Sequence, residues 1–176
     1  RFDKIPKRTP DDYGSKFEES DVLPIIAPDM NAVFYGDRIA LSKMARELGD
    51  VQSAQMWQDK AYEVKEKMMS LLFEKNDEFF YDLDKNGNMR KFKTILMANV
   101  FQERMLDNDL FEKIYERYFK NENEFYTPLP FPSTSVSDKN WIKNLEGNSW
   151  NYFSQALVAL RCDFWMEYYG KKNDYE

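Results

Sequence analysis

The feature that most constrains the fold is a pair of long helix-period segments separated by a single glycine. Apolar residues recur every three or four positions over 30–48 and again over 54–72, which is the period of an amphipathic helix. Pro28 precedes the first segment, Gly49 ends it, and Asp50 is a residue type that caps helix starts. Because so short a break leaves no room for another element, the sequence predicts an antiparallel α-hairpin.

The rest of the chain adds a small hairpin and three more helices. The dipeptide Asn86-Gly87 between strand-like flanks predicts a β-hairpin. A proline-punctuated, irregular lead-in loop is predicted over 1–28 and a long polar loop over 121–148. Further helices are predicted at about 94–104, 108–119 and 149–169. Five helices joined by alternating short turns and long loops predict an all-α toroid or solenoid of helical hairpins rather than a four-helix bundle.

Composition excludes several kinds of chemistry. The chain has no histidine and a single cysteine, Cys162, which rules out Ser-His-Asp and Cys-His catalysis and a zinc cluster within the chain, so no cofactor is expected. Any proton transfer must then use carboxylates. The net charge of −6 disfavours nucleic acid and anionic membranes as partners, and no run of about 18 apolar residues suggests a membrane span.

Polar and aromatic residues suited to a sugar precede the fifth predicted helix. Glu146, Asn148 and Trp150 supply a carboxylate, an amide and a ring, and a pyranose offers hydroxyls to the first two and C–H faces to the third. Asp138 and Trp141 are weaker candidates in the same loop. The alternative is an N-capped helix with a buried tryptophan.

Two more candidates lie at the start of the first helix, where Asp29 and Asn31 follow a proline. Taken alone, they are better explained by capping and a favourable interaction with the helix dipole; the alternative is that the preceding loop delivers them into a cavity.

A weak calcium candidate lies in the β-hairpin. Asp82, Asp84 and Asn86 place oxygens at alternate positions with Gly87 in the sixth, as in an EF-hand loop. The twelfth position is Lys93 instead of the bidentate glutamate, so a plain hairpin turn is the better interpretation.

Several stretches, taken together, resemble a known clan of enzymes. They are Ala27-Pro28-Asp29-Met30-Asn31-Ala32, Leu48-Gly49, Phe79-Phe80-Tyr81-Asp82, Gly147-Asn148-Ser149-Trp150 and Tyr169-Gly170. In order and spacing they resemble the all-α inverting glycoside hydrolases that include trehalase, processing α-glucosidase and mannosylglycerate hydrolase.

The resemblance implies an (α/α)6 toroid, with 29–176 forming part of it. It also implies that Asp29, Asn31, Asn148 and Trp150 line the sugar site, with Glu146 at a variable position. The family's general acid is expected just before Arg1 and its base after Glu176, so the remainder of the same catalytic domain is an expected partner. Glucosides, mannosides or related α-linked glycans are the implied substrates.

Two other hypotheses remain open. One is a non-catalytic helical-hairpin module that binds a protein through its long loops. The other is an enzyme acting through Glu146 and Asp138 within this chain alone. If the chain is an arc of a toroid, apolar faces on the first and fifth helices should be exposed. The sequence leaves the compartment open, with a periplasmic or extracellular location somewhat favoured.

Overall fold

The first α-hairpin forms as predicted. The computed structural model describes residues 25–138 and 154–175, and in it α1 (Pro28–Glu47) and α2 (Val51–Leu71) pack along their length. Gly49 adopts φ of 79°, a left-handed conformation that glycine takes without steric penalty, and this reverses the chain. The side chain of Asp50 accepts a 2.9 Å hydrogen bond from the backbone N–H of Ser53 and caps α2.

Five short strands lie beside this hairpin. The predicted β-hairpin is confirmed by the antiparallel pairing of β4 (Asp82–Asp84) with β5 (Met89–Arg90). On its other edge β4 pairs with β1 (Ile25–Ile26), while β2 (Phe73–Glu74) pairs with β3 (Phe79–Phe80). The expectation of an irregular lead-in up to residue 28 is therefore wrong at its end, where a strand leads directly into α1. That pairing partner lies far along the chain, so no local pattern indicates it.

The two helices after the β-hairpin lie where they are predicted, but each contains a stretch that is not α-helical. The helix predicted at 94–104 is a 3₁₀ turn (Ile95–Ala98) followed by the short α3 (Asn99–Gln102). The next helix is confirmed as α4 (Asn108–Ile114), continued by a π-helical turn (Tyr115–Phe119).

The fifth helix begins later than predicted. α5 spans Ala156–Tyr168, and the predicted start near Ser149 lies outside the described residues. Ser154 pairs with Pro132 in an antiparallel bridge, and Gln155 is extended at φ −99° and ψ 123°. Because this pairing holds the backbone extended, the helix begins only after it. Gly170 follows α5 at φ 68°, as predicted for a helix C-cap.

Trp165 of α5 is at the centre of an aromatic core. Its ring is 2% exposed and lies 5.3 Å from the ring of Phe101 and 5.5 Å from that of Phe119, centroid to centroid. Cys162 is also buried. Phe164 is 63% exposed, because it lies on the opposite face of α5.

The helices form two layers. α1 contacts both α2 and α3, and α3 in turn contacts α5. Phe111 of α4 packs edge-on against Phe101 of α3 and Trp165 of α5, at 4.8 and 6.2 Å. Odd-numbered helices therefore make a row, with even-numbered helices packed against it. We call α1, α3 and α5 the inner row.

The helices of the inner row run parallel. Pro132 pairs with Ser154 just ahead of α5, and Thr134 pairs with Thr94 just ahead of the 3₁₀ turn, so one short segment joins the starts of two helices. At the other end the Arg104 guanidinium lies 4.0 Å above the ring of Tyr168.

α1 has the same direction. β1, which ends just before α1, belongs to the same three-stranded sheet as β5, which ends a few residues before the 3₁₀ turn, so the two helical segments start at the same end. The N-terminal ends of the inner row consequently lie at one end of the structure.

Candidate functional site

Three of the seven predicted site residues, Asp29, Asn31 and Asp138, lie at the N-terminal end of the inner row. Asp29 is in the first turn of α1, and Asp138 bonds to Lys93, one residue before Thr94. We name residues 131–138 the crossing segment, since its bridges join the starts of α3 and α5. Four candidates, Trp141, Glu146, Asn148 and Trp150, lie outside the described residues. The chain leaves the crossing segment at Asp138 and returns at Ser154, and both lie at this end.

The Asp29 carboxyl is partly buried at the start of α1. Partial burial raises the pKa of its carboxyl, opposed by the backbone N–H groups of Met30 and of Asp29 itself. It is not the helix cap, because Ala27 occupies that position and makes no side-chain capping bond. Asp29 forms no salt bridge with any residue that the structure describes. A partly desolvated carboxylate at a helix N-terminus is suited to accept hydrogen bonds from hydroxyl groups.

Asn31 is partly used by the protein itself. Its Nδ2 donates a 2.8 Å hydrogen bond to the carbonyl of Ala27, the residue immediately before the helix. This contact is not an N-cap, because the side chain donates to a carbonyl instead of accepting a backbone N–H, but it fixes the orientation of the amide. None of the described contacts uses the amide oxygen, which therefore remains suited to accept a bond from a ligand.

Asp138 is held by the backbone. It is 8% exposed, and its Oδ2 accepts the N–H of Lys93 at 2.9 Å. The N–H of Asp138 donates to the carbonyl of Ser135 at 3.0 Å, closing a turn at the end of the crossing segment. These bonds give the carboxylate a structural role at the same end as Asp29.

The calcium candidate forms a hydrogen-bonded hairpin turn. Asp84 Oδ1 accepts the N–H groups of Asn86 and Asn88 at 2.8 and 2.9 Å, and these bonds, the one from Asn88 first, lower the pKa of its carboxyl. Over residues 25–138 and 154–175, no group of three or more acidic or cysteine side chains is arranged to hold a metal ion. Asp84 is therefore engaged in shaping the turn.

Sequence reasoning missed a partly buried polar cluster beside the crossing segment, in which Glu124 and Ser135 are buried and Ser137 is exposed. Lys93 Nζ lies 2.7 Å from Glu124 Oε1 and donates to Ser137 Oγ at 2.8 Å. Ser137 Oγ donates to Glu124 Oε2 at 2.8 Å, and Ser135 Oγ bonds to the same oxygen. Lysine and glutamate 31 positions apart give no local signal, so only the fold reveals the pair.

A groove of about 280 Å³, open to solvent, lies between α3 and α5. Asn99, Gln102 and Arg161 supply its polar lining, and none of the predicted site residues within the described part of the chain lines it. It is therefore separate from the candidate site at the helix starts.

Apolar side chains are exposed on the first and fifth helices, as expected for an arc of a toroid. On α1, Met30, Phe34 and Met44 are 66%, 54% and 55% exposed, and on α5 Leu157 and Leu160 are 68% and 65% exposed. Among the described residues, no helix has both the length and the apolar character needed to cross a bilayer.

Known proteins share the sequence and the architecture. A protein described as uncharacterized from Borreliella burgdorferi is 29% identical over 145 residues, which cover 82% of this chain and 30% of that protein. A solved structure described as a sialidase superposes with a TM-score of 0.74 at 15% identity, covering 84% of this chain and 14% of the other.

Two further structures show the same fold. Neutral trehalase Nth1 from Saccharomyces cerevisiae superposes with a TM-score of 0.72 at 14% identity, over 85% of this chain and 29% of that one. The GH63 mannosylglycerate hydrolase from Thermus thermophilus gives 0.63 at 16% identity, over 85% and 34%. The chain therefore spans less than a third of the first three of these proteins and about a third of the fourth, and its helices have the arrangement found in (α/α)6 glycosidases.

Most of the chain matches the sequence model of one protein family. Residues 9–160 match the domain described as the mannosylglycerate hydrolase MGH1-like glycoside hydrolase domain. This range includes the whole inner row up to the first part of α5, together with Asp29, Asn31 and Asp138. The chain belongs to the MGH1-like glycoside hydrolase family.

Proposed function

We propose that this chain forms part of the catalytic domain of an inverting glycoside hydrolase that acts on α-linked glucosides, mannosides or related glycans. The observation that carries the proposal is the convergence of polar residues at the parallel starts of the inner row. There Asp29 combines partial burial with a position in the first turn of α1. Because the chain belongs to a glycoside hydrolase family, we interpret these polar residues as part of a sugar-binding site.

In this proposal the described residues bind the sugar and do not break the bond. An inverting hydrolase needs one carboxylic acid to protonate the leaving oxygen and one carboxylate to activate water, roughly 6.5–9.5 Å apart. Asp138 is engaged with the backbone of Lys93. We therefore assign neither catalytic role to a residue that the structure describes.

Each proposed binding residue has a distinct role. Asp29 accepts hydrogen bonds from sugar hydroxyls, and its partial burial strengthens those bonds by excluding competing water. Asn31 accepts through its amide oxygen while Nδ2 anchors it to Ala27. Four further sugar-binding residues are proposed from the sequence alone: Glu146, Asn148, Trp141 and Trp150. In this scheme the Trp150 ring stacks on a C–H face of the sugar.

The remainder of the catalytic domain is the proposed partner of the exposed apolar faces. Phe34 of α1 and Phe164 of α5 are 54% and 63% exposed, and they lie on the two end helices of the inner row. Neighbouring helices packed there would bury both faces and extend the row toward a closed ring.

The test is the stereochemistry of hydrolysis by the complete polypeptide that contains this chain. It is incubated with aryl α-glucosides, aryl α-mannosides and α-linked disaccharides, and the first-formed anomer is identified by proton NMR. We expect the β-anomer to appear first, because water attacks opposite the leaving group. First formation of the α-anomer would refute inversion.

A second outcome would favour the interaction-module hypothesis. If the complete polypeptide hydrolyses none of these substrates and calorimetry detects no sugar binding, while it binds a protein partner tightly, the long loops serve recognition.

A further inference from the structure

The Lys93–Glu124 pair has no part in the proposed sugar binding. It is partly buried, with the Lys93 side chain 21% exposed, and all its charged atoms are hydrogen-bonded. Glu124 and Ser135 are 9% and 0% exposed, and the Lys93 ammonium contacts both Glu124 and Ser137. Both carboxylate oxygens of Glu124 accept hydrogen bonds, one from Lys93 and the other from the two serines. A buried ion pair persists only when such bonds offset the free energy of desolvation.

The cluster ties three parts of the chain together. Lys93 follows β5, Glu124 follows the π-helical turn, and the serines belong to the crossing segment. Backbone bonds reinforce the junction, because the N–H of Ser135 donates to the carbonyl of Lys93 at 3.0 Å and that of Val136 to Glu124 at 3.1 Å. Side chains and backbone therefore fix the same segment from two sides.

The other end of the crossing segment is held by packing. Phe131 has φ of 63°, a left-handed conformation that is unfavourable for a residue with a bulky side chain. Its ring is 2% exposed and lies 5.9 Å from that of Trp165 and 4.8 Å from that of Tyr175. Such a conformation persists only where the surroundings impose it, so the segment has one fixed path from end to end.

That path decides how the starts of α3 and α5 are spaced. The segment pairs with Thr94 ahead of α3 and, through Pro132, with Ser154 ahead of α5. A displacement of the segment would shift both starts relative to one another. A shift of about 1 Å in groups that position a substrate is enough to reduce activity by about 100-fold.

We propose that Glu124 is a positioning residue for the sugar-binding end. Together with Lys93, Ser135 and Ser137 it sets the path of the crossing segment, and through that path the geometry of the inner-row starts. This inference rests on the proposed function and adds to it a residue that does not touch the sugar.

The experiment is steady-state kinetics of the complete polypeptide on the best α-glycoside, together with thermal melting. The variant Glu124→Gln removes the carboxylate and keeps the size and shape of the side chain. We expect KM to rise by about 10- to 100-fold with a smaller fall in kcat, because binding groups rather than catalytic carboxylates are displaced.

A double variant separates positioning from stability. Lys93→Met with Glu124→Leu replaces the pair by apolar groups of similar size, a change that often recovers stability in buried sites. We expect Tm to return to within a few degrees of wild type while kcat/KM stays at least about tenfold low, since neither serine retains its acceptor. Recovery of both Tm and kcat/KM would overturn the proposal and leave only a structural role.

The matched control is the exposed pair of Glu63 and Lys67 on α2, whose charged atoms are 2.6 Å apart. Glu63→Gln should leave KM, kcat and Tm unchanged. Normal KM and kcat in Glu124→Gln would overturn the positioning role while leaving the glycosidase proposal intact. A wild-type polypeptide inactive on every α-glycoside would instead overturn both.

Discussion

The position of Asp29 in the helix and the burial of its carboxyl have opposite effects on the pKa of that carboxyl. Its place in the first turn of α1 favours a negative charge, but burial dominates and raises the pKa of the carboxyl. A raised folded-state pKa means that folding favours the protonated form. The contribution of this group to stability is therefore present at low pH and lost as pH rises through the folded-state pKa.

The substitution Asp29→Asn should then have opposite effects on stability and activity. We expect the variant to gain stability over wild type at pH 7 and to lose that gain near pH 3, where wild-type Asp29 is protonated. In the complete polypeptide, kcat/KM should fall by about 10- to 100-fold, because the charged acceptor of a hydrogen bond from a sugar hydroxyl is lost. Urea unfolding at the two pH values and glycoside kinetics measure the two effects.

Asp109 provides the matched control, since it occupies the same position in the first turn of α4 and is exposed. Asp109→Asn should reduce stability slightly at pH 7, by about 0.3–1 kcal/mol, because the helix dipole loses a favourable charge. An equal response of the two aspartates to pH would show that burial does not govern Asp29.

At the scale of elements, the contact between Gly36 and Glu103 sets how closely α1 approaches α3. A Cβ added at Gly36 would lie 1.7 Å from Glu103 Oε2 and 2.6 Å from its Cδ. Burial, and then the nearby charge of Asp37, raise the pKa of Glu103. The glutamate is thus held against a helix face that only glycine leaves open.

A double-mutant cycle tests this contact. Gly36→Ala in the wild-type background should destabilise by roughly 1–3 kcal/mol, because the new methyl group displaces the Glu103 side chain. In the Glu103→Ala background the same change should stabilise by about 0.5–1 kcal/mol, since alanine is the better helix former. Equal effects of Gly36→Ala in both backgrounds, in urea unfolding, would rule out the contact.

The cap of α2 gives a prediction with the opposite dependence on pH. Hydrogen bonds from Ser53 hold the pKa of Asp50 below its usual range. A lowered folded-state pKa contributes stability that is present above the unfolded-state pKa and lost as pH falls through the folded-state value. Asp50→Ala should therefore lower the urea midpoint at pH 7 and have a smaller effect at pH 2. Asp59→Ala, on the same helix and away from its start, is the control.

Sequence patterns predicted those elements whose signals are local. The hairpin of α1 and α2 follows from apolar periodicity interrupted at Gly49, and β4 and β5 follow from Asn86-Gly87. The start of α5 was not predictable, because the extended backbone at Ser154 depends on a bridge to Pro132. Residues with capping chemistry near Ser149 gave the same local signal as a true helix start.

At the scale of the whole molecule, the exposed faces of the end helices determine how the isolated chain behaves. Leu160 and Phe164 lie on one face of α5 and are 65% and 63% exposed. We expect the 176-residue chain to self-associate in light scattering, and Leu160→Gln with Phe164→Gln to reduce that association. Leu129→Gln, at a loop residue that is 77% exposed, should change nothing.

The same pair of changes should act differently in the complete polypeptide. If neighbouring helices cover α5, Leu160→Gln and Phe164→Gln should lower Tm there, because polar groups would be buried without partners. A clean monomer of the 176-residue chain, with no loss of Tm in the complete polypeptide, would contradict an arc that packs on further helices.

The site was predictable only in part, for a reason that belongs to the whole fold. Asp29 and Asn31 stood out because they follow Pro28 at a helix start, within stretches that resemble a known clan. Glu124 and Lys93 did not, because their partnership depends on where the crossing segment runs. Local pattern identifies candidates at a helix start more readily than a pair of residues that only the fold brings together.

The most direct test of the account is a crystal structure of the complete polypeptide with a bound monosaccharide, glucose or mannose. The account predicts the sugar at the N-terminal end of the inner row, with Asp29 and Asn31 within about 3.2 Å of its hydroxyls and the crossing segment beside it. A sugar bound elsewhere, with Asp29 facing only protein, would contradict it.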